Sequence, residues 1–246
     1  MMTSTYWKVI IAYIIMQFSA LVGIPLLVEL GIGNELDYDA RMTLLFSYWT
    51  TISFTLGLLI ILWLLRKDFQ EKDLRGPQSS IFQTIIWSIL GFWVALFGQG
   101  IAAMVQQQLF GIEPGSENTQ QIMEFISSSA AIIFAVAIAG PILEEIIFRK
   151  IIFGVLYKKY NFAVGLIVSS LLFAVVHQEF EHLLIYFVMG AIFAFLYVKT
   201  NRIIVPIIAH VSMNSFVVLV QQIFREDIER QLEKLEQMQS FIYLFL

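Results

Sequence analysis

The amino-acid sequence predicts an all-α protein, a polytopic transmembrane helical bundle with about seven spans and a cytoplasmic N-terminus. The 246 residues are 59% hydrophobic and only 14% charged, whereas soluble domains are about half apolar and about a quarter charged. The apolar residues lie in long blocks, and residues 42–65 include no Asp, Glu, Lys or Arg. Because a helix crosses the hydrocarbon with about 20 apolar residues, we expect residues 1–246 to form a single membrane domain.

Seven apolar blocks give the expected spans in chain order. They cover residues 9–28, 42–65, 81–105, 122–157, 162–177, 183–198 and 203–224. The first three spans, residues 9–105, form an N-terminal group, and residues 122–217 form the core with the polar motifs. The fourth block is too long for one span and contains Pro141. Since proline removes a backbone donor and disturbs the preceding turn, we expect a long helix kinked there.

The predicted loops alternate between basic and acidic composition, which sets the orientation. Lys and Arg precede the first span and follow the second, fourth and sixth. They are Lys8, Arg66, Lys67, Lys72, Arg75, Lys158, Lys159, Lys199 and Arg202. Loops rich in Lys and Arg stay on the cytoplasmic side, so we expect the N-terminus inside and the C-terminus outside. Residues 225–246 are expected to form an amphipathic surface helix, with a docked or frayed tail as the equal alternative.

Charged side chains within the apolar blocks mark the candidate site, because ionisable groups at bilayer depth are costly and rare. Glu145 and Arg149 are four residues apart, so they meet on one helix face and can pair. Glu144 points about 100° away around the helix. We therefore expect Arg149 to neutralise Glu145 while Glu144 faces a cavity, a position that suits proton transfer. The absence of cysteine excludes a thiolate nucleophile and thiolate metal ligands.

Two of the three histidines also lie in apolar blocks. Phe173 and His177 share a helix face, as do His210 and Asn214, because the members of each pair are four residues apart. His182 lies in a polar outer loop and is expected to be ordinary.

The depth of these residues follows from the helical rise. At 1.5 Å per residue from the nearest loop, Glu144 and His177 lie roughly 21–22 Å deep and His210 roughly 12 Å deep. Because of this difference in depth, His210 is expected to fit the geometry of the site least well of the three residues. Taken singly, the ion pair, the buried histidines and the asparagine have structural explanations, but their occurrence together on three helices favours an active site.

Three motifs resemble, in order and spacing, those of the CAAX-processing and bacteriocin-processing intramembrane proteases, the CPBP or Abi family. They are Glu144-Glu145-x-x-x-Arg149, Phe173-x-x-x-His177 and His210-x-x-x-Asn214. The resemblance covers residues 122–216 and implies a small bacterial member, a CAAX prenyl protease 2-like metalloendopeptidase in the plasma membrane. Its expected substrate is a membrane-anchored peptide or protein in the lipid bilayer, with no nucleic-acid partner.

The resemblance also implies a role for each motif residue. Glu144 and His177 activate a water molecule, Glu145 and Arg149 hold the site together, and His210 and Asn214 stabilise the oxyanion. Amide hydrolysis needs both a base and donors placed where negative charge develops.

A divalent metal, with zinc as the expected ion, is a further possibility at this site. Its ligands would be Glu144, His177 and His210, which leave a fourth position for water. The usual H-E-x-x-H helix is absent, and a glutamate-based mechanism without an obligatory metal stays open.

Two other functions use the same residue types. A membrane scaffold or immunity-type protein would hold a peptide in the cavity without cutting it, although the intact motifs favour catalysis. A transporter would use buried Glu, Arg and His as an ion pathway, but transporters often contain internal repeats, and the sequence has none.

Overall fold

The computed structural model describes residues 2–68, 74, 76–112 and 115–224. These residues form nine helices and no β-strand, which confirms the predicted all-α class. The helices are α1 (Ser4–Phe18), α2 (Ala20–Glu29), α3 (Tyr38–Leu65), α4 (Ile81–Phe110), α5 (Glu117–Ser128), α6 (134–159), α7 (Phe162–Val176), α8 (Leu183–Thr200) and α9 (Ile204–Ile223). The predicted amphipathic tail, residues 225–246, lies outside the described residues.

Polar residues at the loop ends define where the long helices begin and end. Asp37 caps α3 by accepting a hydrogen bond from the Ala40 N–H. Ser80 and Gln83 form a capping box at the start of α4, which satisfies two backbone donors that have no partner inside the helix. At its other end, α4 stops at Gly111, whose φ of 67° lies in the left-handed region that glycine adopts without strain.

Four helices are long and apolar enough to cross a membrane: α3, α4, α8 with the turn before it, and α9. A fifth span is formed if α1 and α2 are counted together, since they are bent by 44° at a short break. Trp49 of α3 fixes this break by donating a hydrogen bond of 2.9 Å from its indole to the Ser19 hydroxyl. Helix α7 is apolar but shorter. The predicted total of seven spans and the predicted orientation stay predictions.

The predicted fourth span, residues 122–157, is not a single kinked helix. Ser129 has extended backbone angles and ends α5, and α6 begins only after a turn. Helix α6 then alternates between π-helical and α-helical segments, which are Phe134–Ala139, Gly140–Glu144, Glu145–Phe153 and Gly154–Lys159 in that order. The disturbance expected at Pro141 therefore takes the form of wide π-helical turns on both sides of the proline.

Helix α6 lies at the centre of the main apolar core. Its fully buried Leu143 and Ile146 belong to one cluster with side chains from α1, α3, α4, α7, α8 and α9. The outer faces are also apolar, as Trp63 and Phe97 illustrate with 61% and 67% of their surfaces exposed. A surface with so many exposed apolar side chains fits contact with lipid.

Candidate active site

The two adjacent glutamates lie where α6 changes its helical type. Glu144 ends the α-helical segment Gly140–Glu144, and Glu145 begins the second π-helical segment. A π-helical turn is wider than an α-helical turn and is frequently found at functional sites. Helix α6 thereby directs the two side chains into different surroundings: Glu145 is fully buried, and the Glu144 side chain is 20% exposed.

Glu145 lies between a guanidinium and an imidazole. Its Oε2 is 3.2 Å from Arg149 Nε, an ion pair without the alignment of a hydrogen bond. Its Oε1 accepts a hydrogen bond of 2.9 Å from His210 Nδ1. The predicted pairing of Glu145 with Arg149 is therefore present, and α9 joins it through His210.

Arg149 is fully buried among aromatic rings. Its Cζ atom lies 4.3 Å from the centroid of the Phe173 ring and 5.5 Å from that of Phe193. Its three side-chain nitrogens have no hydrogen-bond partner within the described parts of the chain. Glu145 therefore supplies the closest negative charge, Glu144 adds a weaker one, and the faces of the rings add further favourable electrostatics.

The ring of His210 is held in one orientation by two aromatic rings and one hydrogen bond. It stacks on Phe193, with 4.5 Å between the centroids, and meets Phe173 edge-on. Because Nδ1 is hydrogen-bonded to Glu145, Nε2 points towards Glu144 and lies 3.8 Å from its Oε2. The expectation that His210 fits the geometry of the site least well is wrong, because its ring contacts the carboxylates of both Glu144 and Glu145.

His177 lies at the end of α7, and its ring is fixed by two contacts. Its Nδ1 donates a hydrogen bond of 2.7 Å to the Phe173 carbonyl, so Nε2 is left as the free nitrogen. Tyr186 of α8 stacks on the imidazole, with 4.0 Å between the centroids and 23° between the planes. Phe173 and His177 share a face as predicted. In the described part of the chain, His177 makes no hydrogen bond or ion pair with Glu144.

Asn214 completes the set of motif residues. Its side-chain amide donates a hydrogen bond of 3.4 Å to the carbonyl of Val136, which lies in the first π-helical segment of α6. Asn214 and His210 lie on one face of α9, as their spacing predicted, and both line the same cavity.

A cavity of about 150 Å³ lies between α5, α7, α8 and α9. Four motif residues line it: Phe173, His177, His210 and Asn214. Glu144, which was expected to face a cavity, is not among the residues that line this one. Its apolar wall is made largely of methionine and branched side chains, which are Ile122, Met123, Val136, Ile185, Met189, Met213, Val217 and Val218. The cavity therefore offers an apolar space beside the imidazoles, as a site for a peptide side chain requires.

A polar cluster at one end of this cavity was not identified from the sequence. Glu179, two residues after His177, accepts hydrogen bonds from the Ser116 hydroxyl, the Asn118 N–H and the Tyr186 hydroxyl. His182, expected to be ordinary, lines the cavity as well. The only sequence signal for Glu179 is its closeness to His177, because Ser116 and Asn118 lie 63 and 61 residues away along the chain.

The charge of Glu179 is stabilised by these partners. Burial by itself raises the pKa of the Glu179 carboxyl, but the hydrogen bonds from Asn118, Tyr186 and Ser116 and the charge of His182 together lower it below its usual value. Glu179 is therefore a carboxylate at neutral pH, able to accept all of these hydrogen bonds.

The predicted metal ligands do not form a metal site as placed. Within residues 2–68, 74, 76–112 and 115–224, no group of three His, Asp or Glu side chains is arranged to hold a metal ion. His210 lies near Glu144, but His177 is turned towards Tyr186 and the cavity. Zinc binding by Glu144, His177 and His210 stays a prediction.

Comparison with known proteins places this arrangement in a family. The family model described as type II CAAX prenyl endopeptidase Rce1-like matches residues 126–216, which contain all three motifs. YdiL of Bacillus subtilis (strain 168), named as a membrane peptidase, is 48% identical over 220 residues, covering 89% of this chain and 90% of YdiL. The chain belongs to the Rce1-like CAAX endopeptidase family. The resemblance to CAAX proteases inferred from the three motifs is thereby confirmed.

Two other relatives of this Rce1-like protein come from bacteria. The membrane-embedded CAAX protease MroQ of Staphylococcus aureus (strain USA300) is 36% identical over 179 residues, or 70% of each chain. The UPF0177 protein YxdF of Lactococcus lactis subsp. lactis (strain IL1403) is 38% identical over 84 residues, covering 34% of this chain and 46% of YxdF. No solved structure matches the chain significantly. The family and the apolar helices identify a multi-pass bacterial membrane protein with a peptidase role.

Proposed function

We propose that this Rce1-like protein is an intramembrane endopeptidase that hydrolyses a peptide bond in a membrane-associated peptide or protein. Glu144 and His177 activate the attacking water, and His210 and Asn214 stabilise the oxyanion. The observation that carries the proposal is the position of the His210 ring between two carboxylates, with Nδ1 2.9 Å from Glu145 and Nε2 3.8 Å from Glu144.

His210 is suited to the oxyanion by the way Glu145 holds it. Its Nδ1 is held by Glu145, which leaves the Nε2 edge of the ring to face the point where negative charge develops. Because stacking on Phe193 fixes the ring before the reaction, little reorganisation is needed when the charge forms.

Glu144 is suited to the role of base because it is the partly exposed member of the pair. Arg149 and His210 both contact Glu145 directly, which leaves Glu144 without a hydrogen bond among the described residues. The free Nε2 of His177 is an acceptor that helps to orient the water. General-base catalysis needs a group that is free to take the proton of the water.

The reaction proceeds in two proton-coupled steps. Glu144 takes a proton from water as the water oxygen bonds to the peptide carbonyl carbon, and the carbonyl oxygen becomes an oxyanion that faces His210 and Asn214. The intermediate then collapses, the C–N bond breaks, and Glu144 returns the proton to the leaving amine. The products are a new carboxyl terminus and a new amino terminus.

The test compares wild type with Glu144→Gln and Glu29→Gln, all purified in detergent. Glu29 is an exposed carboxylate at the end of α2, so Glu29→Gln is the matched control. Each protein is incubated with membrane-anchored peptides, and new termini are identified by mass spectrometry. We expect wild type and Glu29→Gln to cleave equally and Glu144→Gln to be slower by roughly 10²–10⁴-fold, the usual range for loss of a general base.

Equal cleavage by Glu144→Gln would contradict the assigned mechanism. Binding of the peptide by wild type without any new terminus would instead support the scaffold or immunity-type role, which neither the described residues nor the relatives favour.

A further inference from the structure

Glu179 connects α5 and α8, two elements that both line the cavity beside His177 and His210. Its carboxylate accepts hydrogen bonds from the Ser116 hydroxyl at 2.9 Å and from the Asn118 N–H at 2.7 Å, both at the start of α5. Its Oε2 also accepts a hydrogen bond from the hydroxyl of Tyr186 on α8. One carboxylate therefore holds the first turn of α5 and the side chain of Tyr186 in a fixed relation.

Tyr186 in turn contacts a residue of the catalytic motifs. Its ring lies parallel to the His177 imidazole, with 4.0 Å between the centroids. Phe173 contacts the same imidazole edge-on at 4.7 Å and accepts the hydrogen bond from Nδ1 through its carbonyl. The carbonyl decides which nitrogen is protonated, and Tyr186 limits the tilt of the ring.

We propose that Glu179 and Tyr186 are positioning residues, which fix the plane of His177 and the adjacent wall of the cavity through one hydrogen-bonded cluster. Tyr186 acts on His177 by stacking, and Glu179 acts through Tyr186 on one side and through α5 on the other. Ser116, Asn118, Glu179 and Tyr186 all line the cavity with His177. This inference rests on the proposed function, in which the free nitrogen of His177 orients the attacking water.

The cluster is strong enough for this task because its acceptor is charged. Hydrogen bonds to an ionised carboxylate are about twice as strong as those between neutral groups. A negative charge at the first turn of α5 is also favourable to the helix dipole. Small displacements matter here, since a shift of about 1 Å in a catalytic group can slow a reaction by about 10²-fold.

The experiment uses the full-length protein in detergent and four variants. Tyr186→Leu removes the stacked ring, Tyr186→Phe keeps the ring but removes its link to Glu179, and Glu179→Gln removes the charge but keeps one acceptor. Glu181→Gln is the matched control, because Glu181 is an exposed carboxylate in the same turn. Kinetic constants are measured with a cleaved membrane-anchored peptide.

We expect kcat to fall by roughly 10–100-fold in Tyr186→Leu, as for other small misplacements of a catalytic group, with a smaller change in KM. The kcat values of Tyr186→Phe and Glu179→Gln should lie between those of Tyr186→Leu and wild type, since each variant keeps part of the cluster. Glu181→Gln should match wild type. An equal loss of kcat in Glu181→Gln, or full activity in Tyr186→Leu, would overturn the inference.

A second measurement does not depend on catalysis. The chain has only three histidines, so ¹⁵N-labelled histidine gives three ring systems, which His177→Asn and His182→Gln assign by loss of signals. We expect His177 in wild type to be protonated on Nδ1. Tyr186→Leu should alter its ring shifts while those of His210, held by Glu145, stay unchanged.

These readouts separate the two hypotheses. If wild type cleaves no peptide, the proposed function fails, but a perturbed His177 signal in Tyr186→Leu still supports the positioning role. His177 signals identical to wild type in Tyr186→Leu and Glu179→Gln would refute that role even if cleavage is observed. Should Tyr186→Leu not fold, Tyr186→Phe and Glu179→Gln decide the matter by the same two measurements.

Discussion

Removal of the Glu145 carboxylate tests the buried centre of the site most directly. Glu145 and Arg149 are both fully buried, and Glu145 Oε2 lies 3.2 Å from Arg149 Nε. In Glu145→Ala the guanidinium is left among Phe148, Phe173 and Phe193 without its nearest negative charge. The same substitution removes the acceptor of His210 Nδ1, so both stability and catalysis should suffer.

The size of the stability loss follows from the burial of both partners. Breaking a buried ion pair by removing one partner costs about 3–5 kcal/mol. For a chain of this length, a loss of that size lowers the melting temperature by roughly 6–20 °C. Glu145→Gln should lose less, because its amide oxygen still accepts the hydrogen bond from His210.

A compensating substitution separates stability from catalysis. Glu145→Ala combined with Arg149→Met leaves no uncompensated charge, and replacement of a buried pair by apolar side chains is often neutral. We expect the double variant to regain most of the lost melting temperature. It should not regain peptide cleavage, because His210 still lacks the acceptor of its Nδ1 and can turn within the plane that Phe193 defines.

Thermal unfolding in detergent is monitored by intrinsic fluorescence. Cleavage of a membrane-anchored peptide is measured separately, at a temperature below the unfolding transitions of all variants. An unchanged melting temperature in Glu145→Ala would show that Arg149 is compensated by another group. Recovery of cleavage in the double variant would refute the argument that Glu145 acts through His210.

Two further predictions concern the metal and the helix packing. If Glu144, His177 and His210 hold zinc as predicted, a zinc chelator should abolish peptide cleavage, whereas unchanged cleavage would favour the glutamate-based mechanism without a metal. Loss of cleavage that added Zn²⁺ restores would show that Glu144, His177 and His210 gather around a metal. Gly190→Ala should lower stability by about 1–3 kcal/mol through overpacking, since its Cβ would lie 2.9 Å from the Ser170 backbone where α7 and α8 cross. Gly100→Ala, whose Cβ meets nothing within 4 Å, is the control in thermal unfolding, and an equal loss there would contradict the packing argument.

The features that could be predicted from the sequence are those that depend on residues close together along the chain. Uncharged blocks such as residues 42–65 predict helices because a membrane leaves backbone groups no partner except those within the helix. The spacing of four residues predicted that Glu145 would meet Arg149 and that Phe173 would share a face with His177, and both are found.

The features that could not be predicted depend on which helices become neighbours. The division of residues 122–157 into α5 and α6 arises at Ser129, the last of three consecutive serines, a short polar run that does not by itself decide between a loop and a continued apolar helix. The depth estimate did not anticipate that His210 contacts Glu144 and Glu145, because distances along single helices do not say which helices pack together.

The sequence by itself determined the helical class and the membrane setting, because the length and composition of the apolar blocks settle these, and its three motifs carried the resemblance to the CAAX proteases. Only the tertiary structure decided that His210 contacts Glu145 across 65 residues and that Glu179 contacts Ser116 across 63. The physical reason is that helical periodicity sets the direction of a side chain around its own axis. The position of a second helix opposite that side chain results from the packing of the whole bundle.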